Sequence, residues 1–160
     1  MKTVGSLEKL RGFMMVEILI VISIIVVLVL AALAVAQKSI YLSRQSLHQS
    51  QAAFLLEEGA EAVRIARDNA WVNVSSLNLS TDYYLSFSGG TWILSTSPSG
   101  IDIFTRKIIF SSAYRDANED LVSSGALDSQ TRLATIDVSW LEGGQTFSKT
   151  IQFYLADIFS

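Results

Sequence analysis

The sequence predicts an α+β protein in which one long N-terminal α-helix packs against an antiparallel sheet of four to five strands. Three observations support this fold class. Residues 18–36 form an apolar run that only Ser23 interrupts. A helical period continues to about residue 70, with no proline before Pro98. Beyond Trp71 the pattern changes to alternating apolar and polar residues, which is typical of strands.

The helix divides by composition into a transmembrane first half, residues 13–36, and an amphipathic second half, residues 37–70. As a helix, residues 18–36 would extend about 28 Å, close to the hydrocarbon thickness of a bilayer. Residues 1–12 precede the span and carry Lys2, Lys9 and Arg11 against Glu8. The positive-inside tendency therefore places the start of the chain in the cytoplasm and the later residues outside.

Two ordinary explanations of this N-terminal segment fit it incompletely. Ala34-Val35-Ala36 has the A-x-A form of a secretory cleavage site, but the apolar run is longer than a signal peptide requires and the helical pattern continues past the site. A plain signal anchor explains the length and the orientation. It leaves Glu17 unexplained, because a carboxylate within a membrane span is costly and usually functional.

A third interpretation takes Gly12, Phe13 and Glu17 together. Gly followed by Phe, with Glu as the fifth residue counted from that Phe and a long apolar run behind it, resembles the leader-peptidase site of type IV pilins and pseudopilins. The resemblance implies a pilin-like lollipop fold. It also implies that residues 1–12 are a leader peptide, that a prepilin peptidase/methyltransferase cuts after Gly12, and that Phe13 becomes the N-methylated first residue.

Glu17 acquires a role in this interpretation. Cleavage would create an ammonium group on Phe13, and an unpaired charge buried in a filament core costs several kcal/mol. The resemblance implies that Glu17 pairs with this ammonium during subunit assembly. The implied partners are other pilin subunits, the inner-membrane assembly platform and, before assembly, membrane lipid.

The end of the helix carries a second, more dispersed resemblance. An E-x-x-R-x-x-R-D-x-x-W pattern, typical of the minor pilins called pilus modification proteins, is matched by Glu61, Arg64, Arg67, Asp68 and Trp71. A minor pilin of this kind would first be a single-pass protein of the inner membrane with its head outside the cytoplasm. It would later belong to an extracellular or periplasmic filament, either a pilus or a secretion pseudopilus.

The amphipathic half is expected to pack on the sheet through one apolar stripe. Its members recur at helical spacings: Ile40, Leu47, Phe54, Leu55, Ala62, Val63 and Ala66.

Residues 71–160 are predicted to form a β-rich head without a second helix. Residues 83–87 and 91–94 flank Ser88-Gly89-Gly90 and predict a hairpin. A strand is expected at residues 103–115. A second hairpin is expected from residues 133–141 and 146–155, each with one apolar face for the helix to cover.

No enzymatic site is evident. Asp116, Asn118 and Asp120 begin like a calcium loop, but Leu121 replaces the required glycine and Leu127 the bidentate glutamate, so a solvated turn is favoured over a metal. His48, the single histidine, is expected at the surface, and the chain has no cysteine. No cofactor is expected. The net charge of −3 makes nucleic acid an unexpected partner.

The sequence therefore favours a structural subunit over two alternatives. One is a single-pass, membrane-anchored binding domain outside the cytoplasm that does not polymerise. The other is an enzyme on a membrane stalk.

Overall fold

The computed structural model describes the backbone of residues 4–158 and the side chains of residues 14–158. In chain order the elements are α1 (Val4–Asn69), α2 (Val72–Ser75), β1 (Tyr84–Ser88), β2 (Thr91–Ser95), β3 (Gly100–Ile101), β4 (Phe104–Arg115), β5 (Leu121–Val122), β6 (Ala126–Glu142) and β7 (Gln145–Ala156). The chain forms two compact units, Met1–Ser46 and Leu47–Ser160.

The first unit is helical, and its apolar residues are uncovered. One segment of α1 is long and apolar enough to cross a membrane, and none of it is buried by the rest of the protein. Within it, the Ser23 hydroxyl donates a 2.6 Å hydrogen bond to the carbonyl of Leu19, so the one polar residue of the run is satisfied inside the helix. This segment is compatible with a single membrane anchor.

The second unit contains two antiparallel sheets. The smaller is the β1–β2 hairpin, whose turn residues Gly89 and Gly90 have φ angles of 60° and 82°. The larger has the order β3-β4-β6-β7, with β5 paired to the end of β4. Gly143 and Gly144, at φ 59° and 79°, close the β6–β7 hairpin. Positive φ at both central positions is what a two-residue type I′ hairpin turn needs, and glycine supplies it without strain.

The core lies between the second half of α1 and the larger sheet. Ile108 of β4 pairs with Ile136 of β6, which pairs with Ile151 of β7, so that aliphatic residues cross the sheet in one row. The fully buried members of that sheet include Ile108, Phe110, Ile136, Val138 and Leu155. The fold class predicted from the sequence, a long helix against an antiparallel sheet, is confirmed.

The helix approaches the sheet through small residues, and here the predicted stripe is partly wrong. Leu55, Ala62, Val63 and Ala66 do lie in or against the core. Ile40, Leu47 and Phe54 are instead 57%, 56% and 70% exposed. The face that packs on the sheet begins with these residues: Ala52, Leu56, Gly59 and Ala60.

Gly59 shows why small residues are needed at this contact. A Cβ atom built on it would lie 3.1 Å from Cδ of Arg106 and 3.2 Å from Cγ2 of Ile136, tighter than ordinary van der Waals contact. A large side chain here would push the helix off the sheet, which explains why the residue at this position is glycine.

Two further differences from the sequence predictions concern the head. A one-turn helix, α2, follows α1 where no second helix was expected. Strand β6 begins at Ala126 instead of residue 133, because its polar first part pairs with the end of β4 at Arg115. The two hairpins and the strand at residues 104–115 are as predicted.

Candidate functional site

Glu17 lies on α1 among apolar neighbours. It is exposed, and it lines a shallow groove on the helix surface together with Met14, Ile18, Val21 and Ile22. It is the sole ionisable residue between positions 14 and 37. None of the ion pairs formed within residues 14–158 includes it. In a lipid or protein interior such a carboxylate requires a counter-charge from another molecule or from the chain terminus.

For the predicted cleavage site between Gly12 and Phe13, the structure describes the backbone alone. Gly12 and Phe13 belong to α1, while their side chains lie outside the described residues. Cleavage after Gly12 and methylation of Phe13 therefore stay predictions from the sequence.

An ion pair between a buried arginine and a half-exposed glutamate joins the helix to the sheet, and sequence reasoning missed it. Arg106, in β4 between the inward-facing Phe104 and Ile108, has a side chain only 2% exposed. Its Nη1 donates to Oε2 of Glu58 at 2.6 Å and to the carbonyl of Leu55 at 3.1 Å. The alternation of β4 already placed Arg106 on the inward face, and a buried arginine requires a partner.

Trp92 forms the other side of this arrangement. The Arg106 guanidinium lies 5.6 Å from the centre of the Trp92 ring, within the range of a cation–π interaction. The charge thus contacts the helix through Glu58 and the small sheet through Trp92, and it links both to the larger sheet.

The residues of the E-x-x-R-x-x-R-D-x-x-W pattern hold the end of α1. Arg64 lies 3.5 Å from Glu61 in an exposed pair, and its guanidinium is 5.0 Å from the centre of the Phe153 ring. Arg67 pairs with Asp68 at 2.7 Å, and Trp71 packs against the core. In this chain Arg64 and Trp71 place the end of α1 against the sheet and the core.

The loop at residues 116–120 forms a capped turn. Oδ1 of Asp116 accepts hydrogen bonds from the amides of Asn118 at 2.8 Å and Asp120 at 3.0 Å. The Asp116 carboxylate is thereby used within the loop, as in an Asx turn, while Asn118 and Asp120 contribute their backbone amides. Across the part of the chain that the structure describes, no three His, Cys, Asp or Glu side chains are placed to hold a metal.

Arg115 joins this loop to β6. Its Nη1 donates to the carbonyl of Glu119 at 2.6 Å and its Nε to Oδ2 of Asp128 at 2.7 Å. Hydrogen bonds from Thr131 and then from Arg115 hold the pKa of Asp128 below its ordinary value. These residues line a polar cleft of about 590 Å³ at the end of the larger sheet.

His48 is less exposed than the sequence predicted. Its Nδ1 lies 3.3 Å from Oε2 of Glu142, and its side chain is 25% exposed. The ring edge contacts Phe104 at 6.2 Å between centroids, and Trp140 Nε1 donates to Glu142 at 3.4 Å. His48 therefore helps to hold α1 against the β6–β7 turn.

Comparison of the chain with protein-family models, with curated proteins and with solved structures finds no match.

Proposed function

We propose that this chain is a structural prepilin subunit, cut after Gly12, N-methylated at Phe13 and assembled as a minor subunit of a type IV pilus or secretion pseudopilus. The proposed partners are the peptidase/methyltransferase, other pilin subunits and the inner-membrane assembly platform. The proposed course begins in the inner membrane with the head outside the cytoplasm and ends in the filament.

The observation that carries the proposal is the uncovered apolar helix with one acid at its start. None of the span in α1 is buried by the rest of the chain. Leaving some twenty such side chains in water would cost tens of kcal/mol at about 1.5 to 3 kcal/mol each. Lipid and a bundle of like helices are the two environments that remove this cost. In the bundle, pairing of Glu17 with the ammonium group of Phe13 would fix the register of neighbouring helices.

Mass spectrometry of the mature protein tests the proposal directly. The expected result is a chain that starts at methylated Phe13. Gly12→Val should leave the leader attached, because a very small side chain is expected to be required beside the cut, and the uncut chain should migrate more slowly on a gel. A mature chain that starts at Met1 or at Gln37 would contradict the proposal.

A membrane-anchored binding domain without polymerisation is the second candidate. The polar cleft beside Arg115 and Asp128 favours it, because a cleft of that kind can accommodate a small polar ligand. The mass spectrum separates the two candidates, since an anchor that does not polymerise has no need of a trimmed N-terminus.

A further inference from the structure

The two edges of the larger sheet differ in how far the chain covers them. The edge formed by β4 is covered along its length, because β3 pairs with its start and β5 with its end. Between these strands, the amide of Tyr83 donates to the carbonyl of Ile108 at 2.9 Å, and that of Ser80 to the carbonyl of Phe110 at 2.9 Å. Strand β7 forms the opposite edge, and among residues 4–158 no strand pairs with its outer side.

The free edge of β7 is long and regular. The strand runs for 12 residues without a register shift, and the single proline of the chain lies elsewhere. One step beyond the strand, the amide of Asp157 donates to the carbonyl of Gln130, which faces it. In an antiparallel ladder, such hydrogen-bonded pairs alternate with pairs whose amides and carbonyls point away from each other. The even-numbered residues of β7 therefore direct these groups to the free edge: Thr146, Ser148, Thr150, Gln152, Tyr154 and Ala156.

The apolar side chains beside this edge are incompletely covered. Ile108, Ile136 and Ile151 form one row across the sheet. The first two are fully buried, whereas Ile151, at the edge, is 37% exposed. Phe147 and Phe153 on the same face of β7 are only partly buried. A further strand alongside β7 would continue the row and remove this apolar surface from water.

Lys149 stands in the middle of the edge. It lies between Phe147 and Ile151 on the inward face, opposite the buried Val138, and it is the sole charged residue of the strand. No carboxylate whose side chain the structure describes forms an ion pair with it. An inward-pointing charge on an edge strand hinders pairing with any strand that lacks the opposite charge. In the antiparallel registers that pair most of β7 with β7 of a second copy, Lys149 lies opposite an apolar residue or another Lys149, so self-pairing is disfavoured.

We propose that the free edge of β7 is a docking site for an extended segment of a different protein, which adds an antiparallel strand to the sheet. The side chains that this segment faces define its chemistry. It carries apolar residues opposite Phe153 and Ile151 and, two positions further on, an acid opposite Lys149. The outward amides and carbonyls of β7 supply the affinity, and Lys149 selects the partner. The inference goes beyond the proposed function, since it holds equally for a filament subunit and for a membrane-anchored binding domain.

A fluorescently labelled synthetic peptide, TVTITETVT, tests the charge selection. Its Val, Ile, Glu and second Val would face Phe153, Ile151, Lys149 and Phe147, and its binding to the full chain in detergent is followed by anisotropy. The peptide TVTITKTVT should bind about fivefold more weakly, because a cross-strand pair of opposite charges becomes a pair of like charges. Lys149→Glu should reverse this preference. Equal binding of the two peptides to the wild-type chain would overturn the selection of an acidic segment.

Thr150→Pro tests the main-chain pairing. The amide of Thr150 points to the free edge, so proline at this position leaves the hydrogen bonds between β6 and β7 in place and removes a donor to the peptide. Binding of TVTITETVT should fall about tenfold. Thr150→Ala is the matched control, because it also loses the 2.8 Å hydrogen bond from the Thr150 hydroxyl to Asp137 but keeps the amide. Equal binding by the two variants would overturn docking at this edge.

Hydrogen exchange measured by NMR on the wild-type chain gives a readout that needs no variant. Without peptide, the amides of Ser148, Thr150 and Gln152 should exchange faster than those of Lys149 and Ile151, which bond to β6. Saturating TVTITETVT should slow the first group and leave the second unchanged. If the peptide leaves the first group unchanged, the proposal is wrong. Slow exchange of that group in the chain alone, more pronounced at higher protein concentration, would place a second copy on the edge and would also overturn it.

Discussion

Replacing Glu58 by alanine should leave the Arg106 guanidinium buried without its carboxylate. The side chain of Arg106 is 2% exposed, and its shortest bond, 2.6 Å, goes to Glu58. A hydrogen bond to a charged group contributes about 1.5 to 3 kcal/mol. Since the Glu58 side chain is 45% exposed, water can partly replace the carboxylate, so the lower part of that range, about 1.5 to 2 kcal/mol, applies.

Glu61→Ala is the matched control. Glu61 lies on the same helix and pairs with Arg64 at 3.5 Å, but both side chains are well exposed, so the expected loss is below about 0.5 kcal/mol. Because both variants exchange glutamate for alanine in one helix, the change in helix propensity cancels. The unfolding midpoint of Glu58→Ala should therefore lie about 6 °C below that of Glu61→Ala.

The assay is equilibrium unfolding of the full chain in detergent, followed by tryptophan fluorescence, to which Trp92 beside Arg106 contributes. Arg106→Met provides the second arm. This variant removes the buried charge instead of leaving it without a partner. Its loss of unfolding free energy should therefore be smaller than that of Glu58→Ala. Equal losses in Glu58→Ala and Glu61→Ala, or a larger loss in Arg106→Met, would refute the reasoning that burial of the charge sets the cost.

Three other predictions follow from the structure. Gly59→Leu should lower the free energy of unfolding by about 2 kcal/mol or more, through overpacking against Ile136, whereas Glu57→Leu on the exposed face should not; thermal unfolding of both decides this. Asp128→Asn should be less stable than the wild type at pH 7. Because the fold lowers the pKa of Asp128, that difference should begin to shrink as the pH falls below about 3.9 and should disappear once the carboxyl is protonated in the folded protein; a gap that does not shrink between pH 5 and pH 2 would contradict it. Glu17→Ala should be cleaved normally but form few filaments, as shown by gel mobility and filament counts; wild-type filament numbers would rule out the charge pairing.

The elements of the head could be predicted because their signals are local. Alternation in β4 and β7 and the Gly-Gly turns at 89–90 and 143–144 depend on neighbouring residues alone. The polar start of β6 lacked such a signal. Its pairing with Arg115 depends on a strand elsewhere in the chain, so no window of the sequence around Ala126 could reveal it.

The face of α1 that packs on the sheet was harder to predict. Periodicity arguments give most weight to large apolar residues, and Leu47 and Phe54 were therefore expected inside. Where a helix lies close to a sheet, however, space is the limit, and Gly59 and Ala60 occupy the contact. The partner of Arg106 could not be predicted for another reason: Glu58 lies 48 residues away along the chain, so no local pattern joins the two.

The events proposed for Glu17, Gly12 and Phe13 take place between molecules. Cleavage, methylation and pairing with a neighbour depend on an enzyme and on other subunits. A single chain can display the apolar surface and the acid, and those are what α1 displays.

The order in which the core residues are synthesised has a consequence for folding. Ala60 on α1 is made early, whereas the residues that bury this face, such as Ile136 and Leu155, belong to the last two strands. Synthesis proceeds at about 5 to 20 residues per second, so the strands that bury the small-residue face of the helix are made several seconds after it. The core of the second unit therefore closes only after nearly the whole chain has been made, and completion of the last two strands, more than formation of the helix, sets when it can fold.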